Sequence, residues 1–302
     1  VSTGVIRLGI GGTAGSAEIH RITDHYSFNE YDVITLGGVS AYDGHAAVLT
    51  RLEAEFGVHP SFEALLARAV VRADGRHADW GEAMAVLADR LDEETWEANL
   101  ALRSSPDPLR RLFAAGVVRL VAIRDRPILS GVCPFERRAL DVLLPWVVEE
   151  TDTAVLAVLR GLTELDDPRI EEAGLAFRAR PDPQVRIQVP WALHRTRYAY
   201  THPEALDVLA ALARDPDAGV RRTVCERLYA FESRSPAVAD ILAGFLDEDD
   251  QLVRIKAVSG LADADDPRCV EGARLIDPID RTEWADTWLL DAVSRYEQRR
   301  DG

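Results

Sequence analysis

Residues 215–228 read DPDAGVRRTVCERL. Val220, Val224 and Leu228 fall at i, i+4 and i+8, the spacing of one face of an α-helix. Asp217 stands just before that stripe, where a carboxylate caps free backbone N–H groups and suits the positive end of the helix dipole. The layout recurs on both sides. PDPQVRIQVPWAL (181–193) carries Val185/Val189/Leu193, and DEDDQLVRIKAVSGLADADDPR (247–268) carries Val253/Ala257/Leu261. AVLAVLRGL (154–162) adds Ala154/Val158/Leu162, so that the four stripes start 31, 35 and 33 residues apart. A fifth, Leu109/Phe113/Val117, begins 45 residues earlier, with a loop around 124–134 filling the longer gap. Polar starts precede the other stripes as well, at Asp107-Pro108, Asp152, Asp182-Pro183 and Asp249-Asp250.

A second helical pattern precedes each stripe, at 94–103, 135–149, 168–179, 203–214 and 236–246, clearest in Leu206/Leu209/Leu212. Two antiparallel helices in every ~30–35 residues predict an all-α fold, an α-solenoid or superhelix of stacked helix pairs. The segment 282–299 reads as a capping helix that turns Trp284, Trp288 and Leu289 inward.

These lines, together with EANLALRSSPDPLRRLFAAGVVRL (97–120), resemble HEAT repeats. The stretch from about Asp79 to Asp277, roughly two thirds of the chain, is similar to bacterial cytosolic HEAT-repeat proteins of the PBS-lyase-like type. The resemblance implies paired helices and, for most members, a scaffold for interactions without established chemistry. Some relatives handle bilins or damaged DNA. The D-x-x-V-R signature speaks to fold and not to activity.

Ahead of the match the reading is less regular. Residues 1–20 (VSTGVIRLGIGGTAGSAEIH) are Gly-rich without a helix stripe and are expected to be flexible, irregular or strand-like. Residues 21–76 are expected to form a divergent helical region, with helices at 42–56 and 61–73 and a further one at 77–91, broken at Pro60 and Asp74-Gly75. Residues 77–302 form the expected repeat domain with its C-terminal cap.

Composition bounds the function. The chain has 302 residues, 47% of them hydrophobic, which excludes wholesale disorder. Its apolar runs fall far short of the ~20 residues that cross a bilayer, and no secretory signal pattern opens it. Three scattered cysteines, Cys133, Cys225 and Cys269, fit reduced thiols in a cytoplasmic protein. The net charge is −16, and residues 1–76, with 6 basic and 9 acidic side chains, contribute little of it. Affinity for nucleic acid comes largely from neutralising phosphates, so this field argues against DNA or RNA as a partner.

The candidate sites are few. Gly9, Gly11, Gly12 and Gly15 follow an apolar run, but no βαβ unit follows them, so they read as a terminal linker. Arg110, Arg186, Arg221 and Arg254 each follow the first stripe residue and are expected to pair with capping Asp residues of their own or the adjacent repeat. His20, His25, His45, His59 and His77 lie apart without metal-ligand spacing. The acidic runs 247–250 and 263–266 lack the Gly and terminal Glu of a calcium loop. No catalytic residue, cofactor or metal is therefore expected.

The leading expectation is a non-enzymatic scaffold. It would bind a basic partner protein through a concave surface lined by the second helices, at Arg160, Gln188, Trp191, His194, Tyr198, Arg222, Glu226 and Lys256. Two enzyme readings stand beside it. A HEAT-like DNA glycosylase acting on alkylated bases needs a basic groove with aromatic and acidic residues. A chromophore-handling lyase-like protein needs a deep apolar pocket.

Overall fold

The computed structural model describes residues 3–8, 15–23, 30–36, 39–72, 74–90, 92–124, 134–150, 154–165, 167–193, 203–229, 235–276 and 284–301. The chain divides into two compact units, Val1–Leu165 and Asp166–Gly302.

The first unit opens with four strands, β1 (Thr3–Leu8), β2 (Gly15–Thr23), β3 (Glu30–Leu36) and β4 (Val39–Tyr42), in one antiparallel sheet of order β1-β2-β3-β4. The strand-like alternative for the N-terminal segment is met in β1 and β2. The expectation of helix from residue 21 is corrected here, because β3 and β4 are strands. Their residues carry the reason. Tyr31, Val33 and Thr35 alternate with Asp32 and Ile34, a period-2 pattern of β-branched and aromatic side chains. Cross-strand partners align along it, with Arg21 opposite Asp32, Ile19 opposite Ile34 and Val33 opposite Tyr42. Arg21 is bonded to Asp32 at 2.8 Å and to Asp74, which ties the sheet to the turn before the third helix.

Among the described residues seven α-helices follow in this unit: α1 (His45–Glu55), α2 (Phe62–Val70), α3 (Ala78–Arg90), α4 (Glu93–Ala101), α5 (Pro108–Arg124), α6 (Pro134–Glu149) and α7 (Ala154–Thr163). α3, α5 and α7 pack in a row, with α2 against α3 and α6 against both α5 and α7. The centre is aromatic: Trp80 and Phe113 meet edge to face at 5.4 Å, and Trp146 and Leu143 are buried nearby in sequence on α6. Asn99 of α4 is buried and donates to the Ala114 carbonyl of α5 at 3.0 Å, which locks that pair in register.

The second unit holds α8 (Arg169–Ala176), α9 (Pro183–Arg186), α10 (Gln188–Leu193), α11 (Ala205–Leu212), α12 (Ala218–Tyr229), α13 (Pro236–Ala243), α14 (Gln251–Asp263), α15 (Arg268–Arg274) and α16 (Trp284–Asp301). Helices pair as α8 with α10, α11 with α12, α13 with α14 and α15 with α16, and the second helices α10, α12, α14 and α16 follow one another side by side. This is the stacked-pair solenoid architecture that the repeat predicts. Pro190 has no N–H to offer the Arg186 carbonyl, and the helix is interrupted at Ile187, between α9 and α10. Each of the stripe residues Val185, Val189, Leu193, Val220, Val224, Leu228, Val253, Ala257 and Leu261 is buried, as are Ala154, Val158 and Leu162. Asp182, Asp217 and Asp250 cap their helices by accepting from Gln184, Val220 and Leu252 N–H groups at 2.8, 3.0 and 2.9 Å. Asp152 lies outside the described residues, as do the side chains of Trp284, Trp288 and Leu289.

Close approach within a pair depends on Gly174 of α8. A Cβ built there would stand 2.5 Å from the Cβ of Ala192 on α10. Gly174→Ala gains about 1 kcal/mol of helix propensity but forces two backbones apart, an overpacking cost of about 1–3 kcal/mol. A net loss of stability in urea melts is expected, and a stabilised variant would contradict this packing.

Candidate functional site

The second helices of the second unit carry an exposed strip beside their buried stripes. On α12, Val220, Val224 and Leu228 point inward, which leaves Arg222 and Glu226 at the surface and Arg227 turned toward α10. Trp191 of α10 is 41% exposed, a high value for so large an apolar side chain. The Arg227 guanidinium lies 4.0 Å from the centre of its ring. Burial pushes the Arg227 pKa down to about 10, and its Nε has no hydrogen-bond partner. The indole is therefore held in place by a cation that no carboxylate neutralises among the described residues.

On the other side of α12 the charges are paired. Lys256 Nζ of α14 donates to Glu226 at 2.6 Å, and Arg222 pairs with Asp250. Trp191, Arg227, Glu226 and Lys256 thus run across α10, α12 and α14. Gln188 does not join them. It is only 6% exposed, because a residue three after Val185 lies on the same helix face as the buried stripe, as Thr223 does on α12, and this corrects its expected place at the surface. Arg160 is on α7 in the first unit, exposed and unpaired among the described residues, with its pKa pushed down by partial desolvation of the guanidinium and by the neighbouring Arg119 charge. His194 and Tyr198, with Tyr200 and His202, lie outside the described residues.

The arginine that follows the first stripe residue has a structural task. Arg186 makes two bonds to Asp215, at 2.7 and 2.8 Å, and two more to the carbonyls of Arg180 and Pro181. Arg221 repeats this with Glu248, at 2.6 and 3.0 Å, and with the carbonyls of Asp215 and Pro216. Arg254 reaches the carbonyls of Glu248 and Asp249. For Arg186 and Arg221 the acids are those of the next repeat's interhelix turn, where a capping Asp of their own or the adjacent repeat was expected, whereas Arg110 does pair with Asp107, the capping Asp of its own repeat. In the first unit the equivalent is Arg111, bonded to Glu150 at 3.0 Å and to the Ser105 carbonyl. Phe113 and Val117 of the expected stripe are buried, as are Ala114 and Val118, and the bonds of Arg111 set its equivalence to Arg186 one residue after Arg110. The pair of Arg110 with Asp107 spans 4.0 Å.

Among the described residues the thiols are held away from chemistry. Burial pushes the Cys225 thiol strongly up and Cys269 up to about 11, and Cys225 Sγ lies against the Val253 carbonyl. Cys133 lies outside the described residues. A cleft of about 590 Å³ lined by Arg178, Glu204, Asp207, Val208, Ala211 and Leu212 is open, without a paired base and nucleophile among these residues. No helix among the described residues is long and apolar enough to cross a membrane. What the linear reading missed is a buried group in the first unit. Asp43, His77 and Asp79 converge there although no spacing motif joins them.

Comparison with known proteins agrees with this geometry. Residues 170–262 match the family described as HEAT repeats. No curated protein matches the chain. Among solved structures, Escherichia coli YibA superposes with a TM-score of 0.57 at 15% identity, over 82% of this chain and 96% of that one. An engineered protein gives 0.47 at 18% identity, over 67% and 96%. The complex of CpcE and CpcF of phycocyanin lyase from a Nostoc species gives 0.40 at 17%, over 76% and 87%. At such identities the first likeness speaks for fold alone, and the other two are too loose to carry an argument. The paired helices, the buried stripes and the arginine that bonds the next repeat's turn give the chain an α-solenoid fold, within which residues 170–262 match HEAT repeats.

Proposed function

We propose that the protein is a non-catalytic scaffold that binds a partner protein through the α10–α12–α14 strip, with Trp191 as its anchor. The observation that supports this reading is the exposed indole fixed under the Arg227 guanidinium. Trp and Arg are the residues most enriched among strong contact residues, and a side chain already held in one rotamer loses less entropy on binding. The net charge of −16 favours a basic partner and faster encounter with it. The same charge disfavours the glycosylase reading, since Arg186, Arg221, Arg222 and Lys256 are all engaged by acids and offer no array for phosphates.

Two measurements test this. A partner recovered with the wild-type chain should bind Trp191→Ala about 30-fold more weakly, the equivalent of ~2 kcal/mol, while the far-UV spectrum stays helical. Gel shifts at micromolar protein with plain and alkylated duplexes should show no complex and no released base. Unchanged partner affinity in Trp191→Ala would remove the strip from the interface, and DNA binding at ~150 mM salt would overturn the scaffold reading.

A further inference from the structure

Asp43, His77 and Asp79 come from three places in the first unit: the turn between β4 and α1, the residue before α3, and the first turn of α3. Among the described residues they form a cluster in which one donor atom from each side chain lies within 4.8 Å of the others. His77 is 1% exposed. Its Nε2 stands 3.8 Å from Asp43 Oδ2, and its Nδ1 stands 3.5 Å from Asp79 Oδ2. His77 Nε2 is buried without a hydrogen-bond partner, and the buried Asp43 Oδ2 is held by an ion pair with Arg72. A ring nitrogen buried without a hydrogen bond is costly to desolvate. A gap of 3.8 Å is too long for a hydrogen bond. It is close to the separation of two donors on one ion, since bonds of about 2.1 Å at a tetrahedral centre set neighbouring ligands about 3.4 Å apart.

The surroundings hold these groups in place. The Ala47 N–H donates to Asp79 Oδ1 at 2.7 Å, which turns Oδ2 toward the imidazole. In the ion-free protein the Asp79 N–H donates to His77 Nδ1 at 3.2 Å, so Nε2 carries the ring proton beside Asp43; an ion on Nε2 requires the other tautomer, with the proton moved to Nδ1, where Asp79 Oδ2 stands 3.5 Å away. Residue 77 is also bridged to Glu30 of β3 through the backbone, and Glu30 N–H bonds the Arg76 carbonyl at 2.8 Å. The cluster therefore sits where the sheet meets α1 and α3. One cation already competes for it: Arg72, on a half-exposed side chain, pairs with Asp43 Oδ2.

We propose that Asp43, His77 and Asp79 form a binding site for a divalent transition cation of the zinc class. Each would supply one donor atom, and water would complete the shell. An imidazole with two carboxylates suits zinc or cobalt better than magnesium or calcium, which prefer oxygen alone. The ion would join the end of β4 to the start of α3, so that binding stabilises the sheet-bearing part of the first unit. Arg72 must swing away from Asp43 as the ion enters, and its exposure leaves it free to do so.

The test uses the full chain, stripped with a chelator and dialysed, then titrated with Zn²⁺ by calorimetry and with Co²⁺ by visible absorption. One Zn²⁺ per chain is expected, with a thermal midpoint that rises with Zn²⁺ concentration and cobalt bands of a low-coordinate site. His77→Gln and Asp43→Asn should each weaken Zn²⁺ binding by at least about 100-fold, beyond what outer partners of a metal site usually contribute. Arg72→Gln, outside the ligand set, should tighten it. Asp43→Asn keeps the shape of the side chain, and far-UV spectra establish that each variant is folded. No stoichiometric Zn²⁺ binding by the wild-type chain would overturn the site. Binding that survives unchanged in both His77→Gln and Asp43→Asn would also overturn it, as would weaker binding in a folded Arg72→Gln.

Discussion

Val224→Asp is expected to lower the free energy of unfolding by about 4 kcal/mol or more. Val224 is fully buried at the centre of the α12 stripe. The substitution removes an apolar side chain worth roughly 2 kcal/mol of burial and places a carboxylate where it finds no partner, which adds several kcal/mol more. A domain has only about 5–15 kcal/mol to lose. α12 packs on α10, α11, α13 and α14, so the damage reaches both neighbouring repeats, because stacked repeats are stabilised largely through their interfaces. Val224→Ala makes a useful companion, since it shortens the side chain without adding charge and should cost about 1.5–2.5 kcal/mol. Urea melts of the two variants and the wild type measure the difference directly. A change below ~1 kcal/mol for Val224→Asp would mean that this side chain does not hold the core.

Why such a residue is readable from sequence, and others are not, follows from the distance over which each feature is encoded. The stripe Val220/Val224/Leu228 is a local pattern, and burial of that face follows from helix geometry alone. The caps at Asp182, Asp217 and Asp250 are local too. Arg186 and Arg221 were visible as a repeated position, but their partners Asp215 and Glu248 belong to the next repeat, and one turn offers several acids to choose from. Between Arg110 and Arg111 the alignment slipped by one residue because Leu109 mimics a stripe position; only the Ser105 and Glu150 bonds of Arg111 reveal the register.

The N-terminal sheet was harder for a different reason. β3 and β4 are short, and among their residues whose side chains are described only Val33 is buried, so that no long apolar run announces them. Their stability comes from cross-strand pairs such as Arg21–Asp32, which appear only once the register exists. Trp191 could be marked as a contact residue from its type, yet its pairing with Arg227 depends on how α10 and α12 stack. Gln188, three residues after Val185, falls on the stripe face by helix geometry itself, so its burial was legible in the spacing. Asp43, His77 and Asp79 are further still from any linear motif, being assembled by the sheet–helix junction.

Arg186→Met should cost about 2 kcal/mol at neutral pH, and most of that should disappear in acid. The Arg186 guanidinium is 13% exposed and the Asp215 carboxylate 6%, which places the pair between two regimes. Fully buried pairs cost about 3–5 kcal/mol when broken, and exposed ones are worth ~1 kcal/mol or less. Arg222–Asp250, with the arginine half exposed, belongs to the second regime and serves as the control: Arg222→Met should change stability by less than ~1 kcal/mol. The bonds from Arg186, aided by the Asp217 N–H at 2.9 Å, hold the Asp215 carboxyl below the usual carboxylate range. A carboxylate whose pKa is lower in the folded state binds its proton more readily once unfolded. Its contribution is therefore fully present above the unfolded value near 3.9 and is lost as pH falls through the lower folded value. Urea melts of wild type, Arg186→Met, Asp215→Asn and the double variant, at pH 7 and again below pH 3, separate the pair from its surroundings. A coupling energy of about 2 kcal/mol at pH 7 that shrinks in acid is the expected result. A coupling near zero at pH 7 would mean that the repeated arginine does not fasten one repeat to the next. A coupling that persists undiminished well below the carboxylate range would mean that Asp215 is not its charged partner.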